Sequence, residues 1–147
     1  MKKLFLVLAA AMAAFSFTSC EQNFSDEKYT DKLIGTWQLT KTEDVKYVNG
    51  ELTEQESELA TGDDAYTLLF KTDNTVTMTV MKLGQKFETK YAYSVVDGML
   101  ELRIVGVSTQ SAIRYDIEHI SRKELILTQE EVRNAEREVS RFYYTRK

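Results

Sequence analysis

Residues 99–105 read Met-Leu-Glu-Leu-Arg-Ile-Val, and residues 111–120 read Ser-Ala-Ile-Arg-Tyr-Asp-Ile-Glu-His-Ile. Over residues 100–104 and 113–118 apolar and charged side chains alternate one by one, which is typical of a strand with one buried and one solvated face. Val76, Met78 and Val80 repeat this period between threonines. The alternation therefore predicts a sheet whose strands are half buried.

Segments of this kind recur along the chain and are separated by short turn signals such as Val96-Asp97-Gly98. Short links make neighbouring strands antiparallel. A meander of eight strands leaves two unpaired edges unless the sheet closes on itself. We therefore predict an all-β fold, an eight-stranded antiparallel up-and-down β-barrel over residues 33–147. The predicted strands are 33–41, 65–72, 75–82, 86–95, 99–105, 111–120, 124–129 and 138–146.

The connection between the first two predicted strands, residues 43–64, is long. Within it Thr53 precedes Glu56 at the spacing of a capping box, and Gly62 follows where a helix would end. This pattern predicts a helix of one to two turns. A second stretch, residues 130–137, allows a helical turn or a hairpin tip, and the hairpin is favoured because the flanking segments can pair across it.

Residues 1–19 have the anatomy of an export signal peptide. Lys2 and Lys3 precede an apolar run, residues 4–15, and a short polar step leads to Cys20. The run is shorter than the about 20 residues that a membrane-spanning helix needs. Cys20 is the only cysteine of the chain, so it cannot form an internal disulfide and has another use in an exported protein.

The segment Phe17-Thr18-Ser19-Cys20 resembles the lipobox of bacterial lipoproteins. The resemblance implies that Cys20 is acylated with palmitate-type chains and becomes the mature N-terminus, and that residues 20–32 are a lipidated tether ending in a short helix. The tether is similar to those of Bacteroidetes lipoproteins, which implies a lipid anchor in the cell envelope, at the outer membrane, on its periplasmic or surface face. A free or intermolecularly paired thiol is the alternative.

Removal of 19 residues from 147 leaves 128, which is enough for one domain with one core. Lys2 and Lys3 leave with the signal, so 17 basic residues face 23 acidic ones and the formal net charge is 17 − 23 = −6. Such a surface repels phosphate backbones, and the chain has no run of lysines and arginines. Nucleic acid is therefore excluded as a partner.

At Gly35-Thr36-Trp37, which opens the first strand of the meander, residues 29–147 resemble the lipocalin and lipocalin-like group. The resemblance implies that Trp37 packs at the closed end of the barrel under an arginine of the last strand, Arg141 or Arg146. It also implies a helix over residues 26–32 and a lid over the open end, residues 52–60. The chain departs from secreted lipocalins in being shorter and in lacking their disulfide.

The inventory of catalytic groups is small. The chain has one histidine and no zinc-protease, nucleophile-elbow or phosphate-loop motif. By strand parity His119 shares a face with Ile117 and Tyr115, where a histidine at the rim or core edge is the plain interpretation, and a ligand contact or a proton-transfer role is the functional one. We predict no enzyme, no cofactor and no metal site.

The inward-facing positions of the predicted barrel are rich in tyrosine. An eight-stranded barrel is just wide enough to fill with side chains or to hold one small ligand. We predict non-enzymatic binding of a small apolar or amphipathic molecule. The alternative is a protein-interaction or inhibitor module, in which a filled barrel presents its loops to a partner; the oligomeric state stays open. The candidate ligand contacts are Tyr66, Tyr91, Tyr93, Tyr115 and His119.

The lipid anchor predicts the behaviour of a single variant. Cys20→Ser removes the only acceptor for acyl chains, each methylene of which contributes about 0.8 kcal/mol of membrane affinity. We expect this variant to move from the membrane fraction to the soluble fraction, as measured by fractionation and immunoblotting. Unchanged membrane association of Cys20→Ser would contradict the anchor.

Overall fold

The structure is a computed structural model that describes residues 26–60, 66–108 and 111–147. In these ranges the chain forms one helix and nine strands, all of the strands in one antiparallel sheet. The helix is α1 (Asp26–Leu33), at the place where the lipocalin resemblance implies one. The strands are β1 (Gly35–Val48), β2 (Glu51–Leu59), β3 (Tyr66–Phe70), β4 (Thr75–Lys82), β5 (Gln85–Val96), β6 (Met99–Ile104), β7 (Ile113–Ile120), β8 (Glu124–Arg133) and β9 (Glu136–Arg146).

The sheet closes into a barrel through β1. The start of β1 pairs with β3, from Gly35 opposite Phe70, and the opposite edge of β1 pairs with β9 from Trp37 to Val48. From β3 to β9 each strand pairs with the next along the chain. The barrel therefore has eight strands, β1 and β3 to β9, and the predicted eight-stranded up-and-down barrel is confirmed.

The helix predicted within residues 43–64 is wrong, because residues 51–59 form β2 and pair with the second half of β1. The turn between these two strands is Asn49-Gly50, with φ values of 54° and 83°. Two consecutive residues with positive φ match the twist of a tight hairpin. The chain therefore folds straight back along β1, whose backbone groups gain partners that a separate helix would not supply.

The stretch 130–137 is the tip of a hairpin, as predicted, with Asn134 at φ 56° between β8 and β9. Here β8 and β9 run past the barrel mouth side by side with β1 and β2. We call the resulting four-stranded sheet, residues 43–59 and 129–140, the extension. Its two hairpin tips are joined where the Asn49 N–H donates to the Ala135 carbonyl at 2.9 Å.

Trp37 fills the closed end of the barrel and is fully buried. Its indole N–H donates to the Leu33 carbonyl at 2.7 Å, which ties α1 across this end. The guanidinium carbon of Arg146 lies 4.2 Å from the centre of the indole ring, and the same guanidinium donates to the Ile34 carbonyl at 2.6 Å. Of the two arginines that the resemblance offered, Arg146 lies over Trp37, whereas Arg141 is on the outer face.

Gly35 leaves room for this arginine. Its φ of 128° is one that other residues rarely adopt, and a Cβ on Gly35 would lie 2.5 Å from Nη1 of Arg146. A larger residue would therefore strain the backbone and displace the guanidinium from the indole.

The arrangement of Arg146 over Trp37 predicts a difference between two arginines. Arg146→Ala removes a cation–π contact and several hydrogen bonds to carbonyls, so we expect it to lower the free energy of unfolding by about 2–4 kcal/mol. Arg141→Ala removes one exposed ion pair with Glu118 and should cost less than about 1 kcal/mol. Urea unfolding of both variants, followed by circular dichroism, measures this difference. Equal losses would show that Arg146 does not secure the closed end.

Candidate binding site at the open end of the barrel

A cleft of about 510 Å³ lies at the open end of the barrel, opposite α1. It opens to solvent between the end of β4, the start of β3 and the β1–β2 hairpin. Its size falls within the range of pockets that hold small molecules. The lining residues are Leu39, Thr42, Glu58, Leu59, Ala60, Tyr66, Val80 and Lys82.

Strand parity and one β-bulge decide which side chains form the floor of the cleft. Tyr66 and Val80 are direct partners across β3 and β4, so their side chains share the inner face. On β1 the register shifts between Leu39 and Lys41, and this bulge places Thr42 on the inner face beside Phe142, which is partly buried against the core. Leu39 is 6% exposed and forms the deepest apolar surface of the cleft.

The rim of the cleft is charged, with a carboxylate on Glu58 and an ammonium group on Lys82. Both residues are exposed, and neither takes part in an ion pair within the described ranges. The cleft therefore offers an apolar floor and a polar edge, which suits an amphipathic molecule.

Tyrosines continue from the cleft into the interior. Burial raises the pKa of Tyr144 far above its usual range, and its neighbours Tyr115 and Tyr66 raise it further. Burial, followed by the neighbour Tyr91, likewise raises the pKa of Tyr115. A tyrosine is protonated at neutral pH even at its usual pKa, so these hydroxyls can donate a hydrogen bond to a ligand, and burial extends this to more alkaline pH.

The half of the barrel near the closed end is filled with side chains. Phe70 and Tyr93 pack edge to face with ring centres 5.0 Å apart. The Tyr93 hydroxyl donates to the Lys71 carbonyl at 3.3 Å. Burial raises the pKa of Tyr93, and the charges of Asp73 and Asp31 add to this effect. Tyr93, predicted as a ligand contact, thus belongs to the packed core below the cleft.

The prediction that His119 faces inward is wrong. A bulge between Ile117 and His119 shifts the register of β7, so that His119 lies opposite Ile126 and is exposed, while Ile120 takes the inner face. One extra residue reverses the parity of everything after it. His119 is therefore separated from the tyrosines of the interior.

The other predicted site residues are distributed as follows. Tyr66 is at the cleft, 41% exposed, and Tyr91 and Tyr115 lie deeper in the barrel, buried and half-buried. Arg141 donates to Glu118 at 2.8 Å on the outer face. Cys20 lies outside the described residues. The lid predicted over residues 52–60 is replaced by the extended β2, of which only the end borders the cleft.

Four lining residues and one interior tyrosine were not among the predicted contacts. The four that line the cleft are Leu39, Thr42, Val80 and Lys82, and Tyr144 is buried beside Tyr115. The alternation of Val76, Met78 and Val80 carries the signal for Val80, since it places this side chain on the inner face. For Tyr144 the signal is ambiguous, because Tyr143 precedes it and either ring could face inward.

Within the described parts of the chain, no group of three or more His, Cys, Asp or Glu residues is arranged to hold a metal ion. Over the same parts, no helix has the length and apolar character needed to cross a bilayer.

No protein-family profile matches this chain, and no curated protein matches it by sequence. A solved structure of a lipocalin-like protein from Bacteroides uniformis is similar with a TM-score of 0.52 and 13% identity, over 79% of this chain and 99% of that one. A deswapped triple mutant of bovine odorant binding protein aligns with a TM-score of 0.44 and 12% identity, over 79% of this chain and 74% of its own. The bovine lipocalin allergen Bos d 2 aligns with a TM-score of 0.44 and 11% identity, over 79% and 73%.

The first of these structures, together with the closed eight-stranded barrel, defines the fold of this chain as lipocalin-like. The likeness is one of fold.

The raised pKa of Tyr144 predicts a loss of stability at alkaline pH. In the unfolded chain tyrosine ionises near pH 10, whereas the folded chain holds the Tyr144 proton more tightly. Its stabilising contribution is therefore complete below about pH 10 and is lost as pH rises towards the folded pKa. We expect Tyr144→Phe to flatten the fall in unfolding free energy above about pH 10, measured by urea unfolding at several pH values.

A second variant separates ionisation from general destabilisation. Phe70→Leu weakens the core but removes no titrating group. Its free energy of unfolding should therefore be lower at every pH, but should fall above about pH 10 with the same slope as that of the parent protein. If Tyr144→Phe also keeps that slope, the hydroxyl of Tyr144 is not held protonated by the fold.

Proposed function

We propose that this chain is an envelope-anchored lipoprotein whose barrel binds a small apolar or amphipathic molecule at its open end, without catalysing a reaction on it. One observation carries the binding part: the cleft has an apolar floor, formed by Leu39 and Val80, below a rim charged by Glu58 and Lys82. The apolar tail of such a ligand would be removed from water by packing on the floor, while its polar head would stay solvated at the rim.

The physical driving force for such binding is modest. Burial of about 200 Å² of apolar ligand surface contributes roughly 5 kcal/mol of favourable binding free energy. Part of this gain is offset by the lost freedom of the ligand. A hydrogen bond from Tyr66, or contact of a polar head with Lys82, would add specificity. We therefore expect weak to moderate affinity for simple hydrophobic probes.

The proposed anchor gives the cleft a direction. Cys20 precedes α1 by five residues, which span at most about 18 Å when extended. Because α1 is tied to Trp37 at the closed end, this end would face the membrane. The cleft would then open away from the bilayer, towards ligands arriving from the aqueous side.

A cleft-filling variant tests the binding site. Val80→Phe adds a ring to the floor, so we expect binding of the neutral fluorescent probe N-phenyl-1-naphthylamine to weaken about tenfold, which corresponds to 1.4 kcal/mol. Thr77→Phe is the matched control, since it makes the same ring on the same strand but on the outer face. Fluorescence titration of both variants measures the effect. Equal affinities for the two variants would rule out the cleft as the probe's site.

A further inference from the structure

One edge of the extension carries no strand. β2 is the last strand in the sheet order, and all nine of its residues are exposed. Within the described ranges no strand pairs with its outer edge. Such an edge presents a row of free backbone donors and acceptors on which a further strand can be added.

The hydrogen bonds of β2 decide which backbone groups are free. The Ala60 N–H donates to the Thr40 carbonyl at 2.9 Å. Bonded pairs alternate with non-bonded pairs in an antiparallel ladder. Glu58, Glu56 and Glu54 therefore bond to β1, whereas the N–H and C=O groups of Gln55 and Ser57 point to the open edge. An added strand would meet these two residues first.

The charge of β2 selects what can be added. Glu54, Glu56 and Glu58 alternate along the strand and share one face. No described residue forms an ion pair with any of the three. Opposite Glu56 on β1 stands another carboxylate, Asp44, and the ammonium group of Lys46 is bound to Glu136 at 3.3 Å. Lys46 also stands opposite Glu54, but its ammonium group is engaged by Glu136, so negative charge is in excess on this face.

A second copy of β2 is a poor occupant of the edge. In an antiparallel pair centred on Gln55, Glu54 would lie opposite Glu56 of the other copy. Centring on Glu56 instead would bring three pairs of glutamates together. Like charges directly opposite each other destabilise a strand pair. Self-pairing is therefore opposed, and a strand with positive side chains at alternate positions is favoured.

We propose that the outer edge of β2 binds an extended segment of a partner protein that carries lysine or arginine at every second position. The segment adds to the extension as a fifth strand. Its backbone pairs with Gln55 and Ser57, and its basic side chains lie beside Glu54, Glu56 and Glu58. This docking edge does not require a ligand in the cleft, although Glu58 at one end belongs to both sites.

The backbone part of the proposal is tested with a fluorescently labelled nine-residue peptide that alternates lysine and threonine, matching the nine residues of β2. Ser57→Pro removes an N–H that points to the open edge and no hydrogen bond to β1, so we expect the peptide to bind at least about tenfold more weakly, as measured by anisotropy. Ser57→Ala, which keeps the N–H, should bind like the parent protein. The same peptide with alternate N-methyl groups, tested on the unaltered protein, should also lose binding.

The charge part is tested with two triple variants that each remove three negative charges. Glu54→Gln, Glu56→Gln and Glu58→Gln together should weaken binding at least about tenfold and reduce its salt dependence. Asp97→Asn, Asp116→Asn and Glu124→Gln, which are exposed and distant from the edge, should leave binding nearly unchanged.

Three results would overturn the proposal. The first is full binding to Ser57→Pro and to the N-methylated peptide, which would mean attraction by charge without strand addition. The second is an equal loss in both triple variants, which would mean a response to net charge alone. The third is self-association of the unaltered protein in sedimentation experiments that Ser57→Pro abolishes, which would make a second copy the occupant of the edge.

Discussion

The pairing of β1 with β9 is the constraint on which the rest of the structure depends. It runs from Trp37 to Val48 and joins the first and last strands of the barrel, so it turns a meander with two edges into a closed wall. The same pairing brings Arg146 over Trp37 at one end and carries both strands beyond the barrel at the other. The closed end, the open end and the extension therefore all follow from the long pairing of β1 with β9.

The period of two in the sequence is a strong predictor of this fold because it reports side-chain burial, the largest favourable contribution to folding. It therefore locates β4, β6 and most of β7 closely. The period of two does not determine the register in which neighbouring strands pair. The bulges after Leu39 and Ile117 each insert a residue and reverse the parity that follows, which is why the side of His119 could not be predicted.

The β1–β2 hairpin illustrates a competition between two local signals. The spacing of Thr53 and Glu56 suits a helix cap, which contributes about 1 kcal/mol. The dipeptide Asn49-Gly50, the strongest short-range signal for a hairpin, stands just before this cap and competes with it. Pairing with β1 supplies hydrogen bonds along the whole of β2 and outweighs the cap. The cleft depends on this hairpin, so its lining could be predicted only in part.

The end of the chain lies beside the start of the barrel wall, because the Lys147 N–H donates to the Thr36 carbonyl at 3.0 Å. Both ends of the described fold therefore meet near α1, on the side remote from the ligand cleft and from the outer edge of β2. A fusion domain attached after Lys147 would sit at this base and leave both surfaces clear. Attachment at either terminus would therefore leave the open end of the barrel unobstructed.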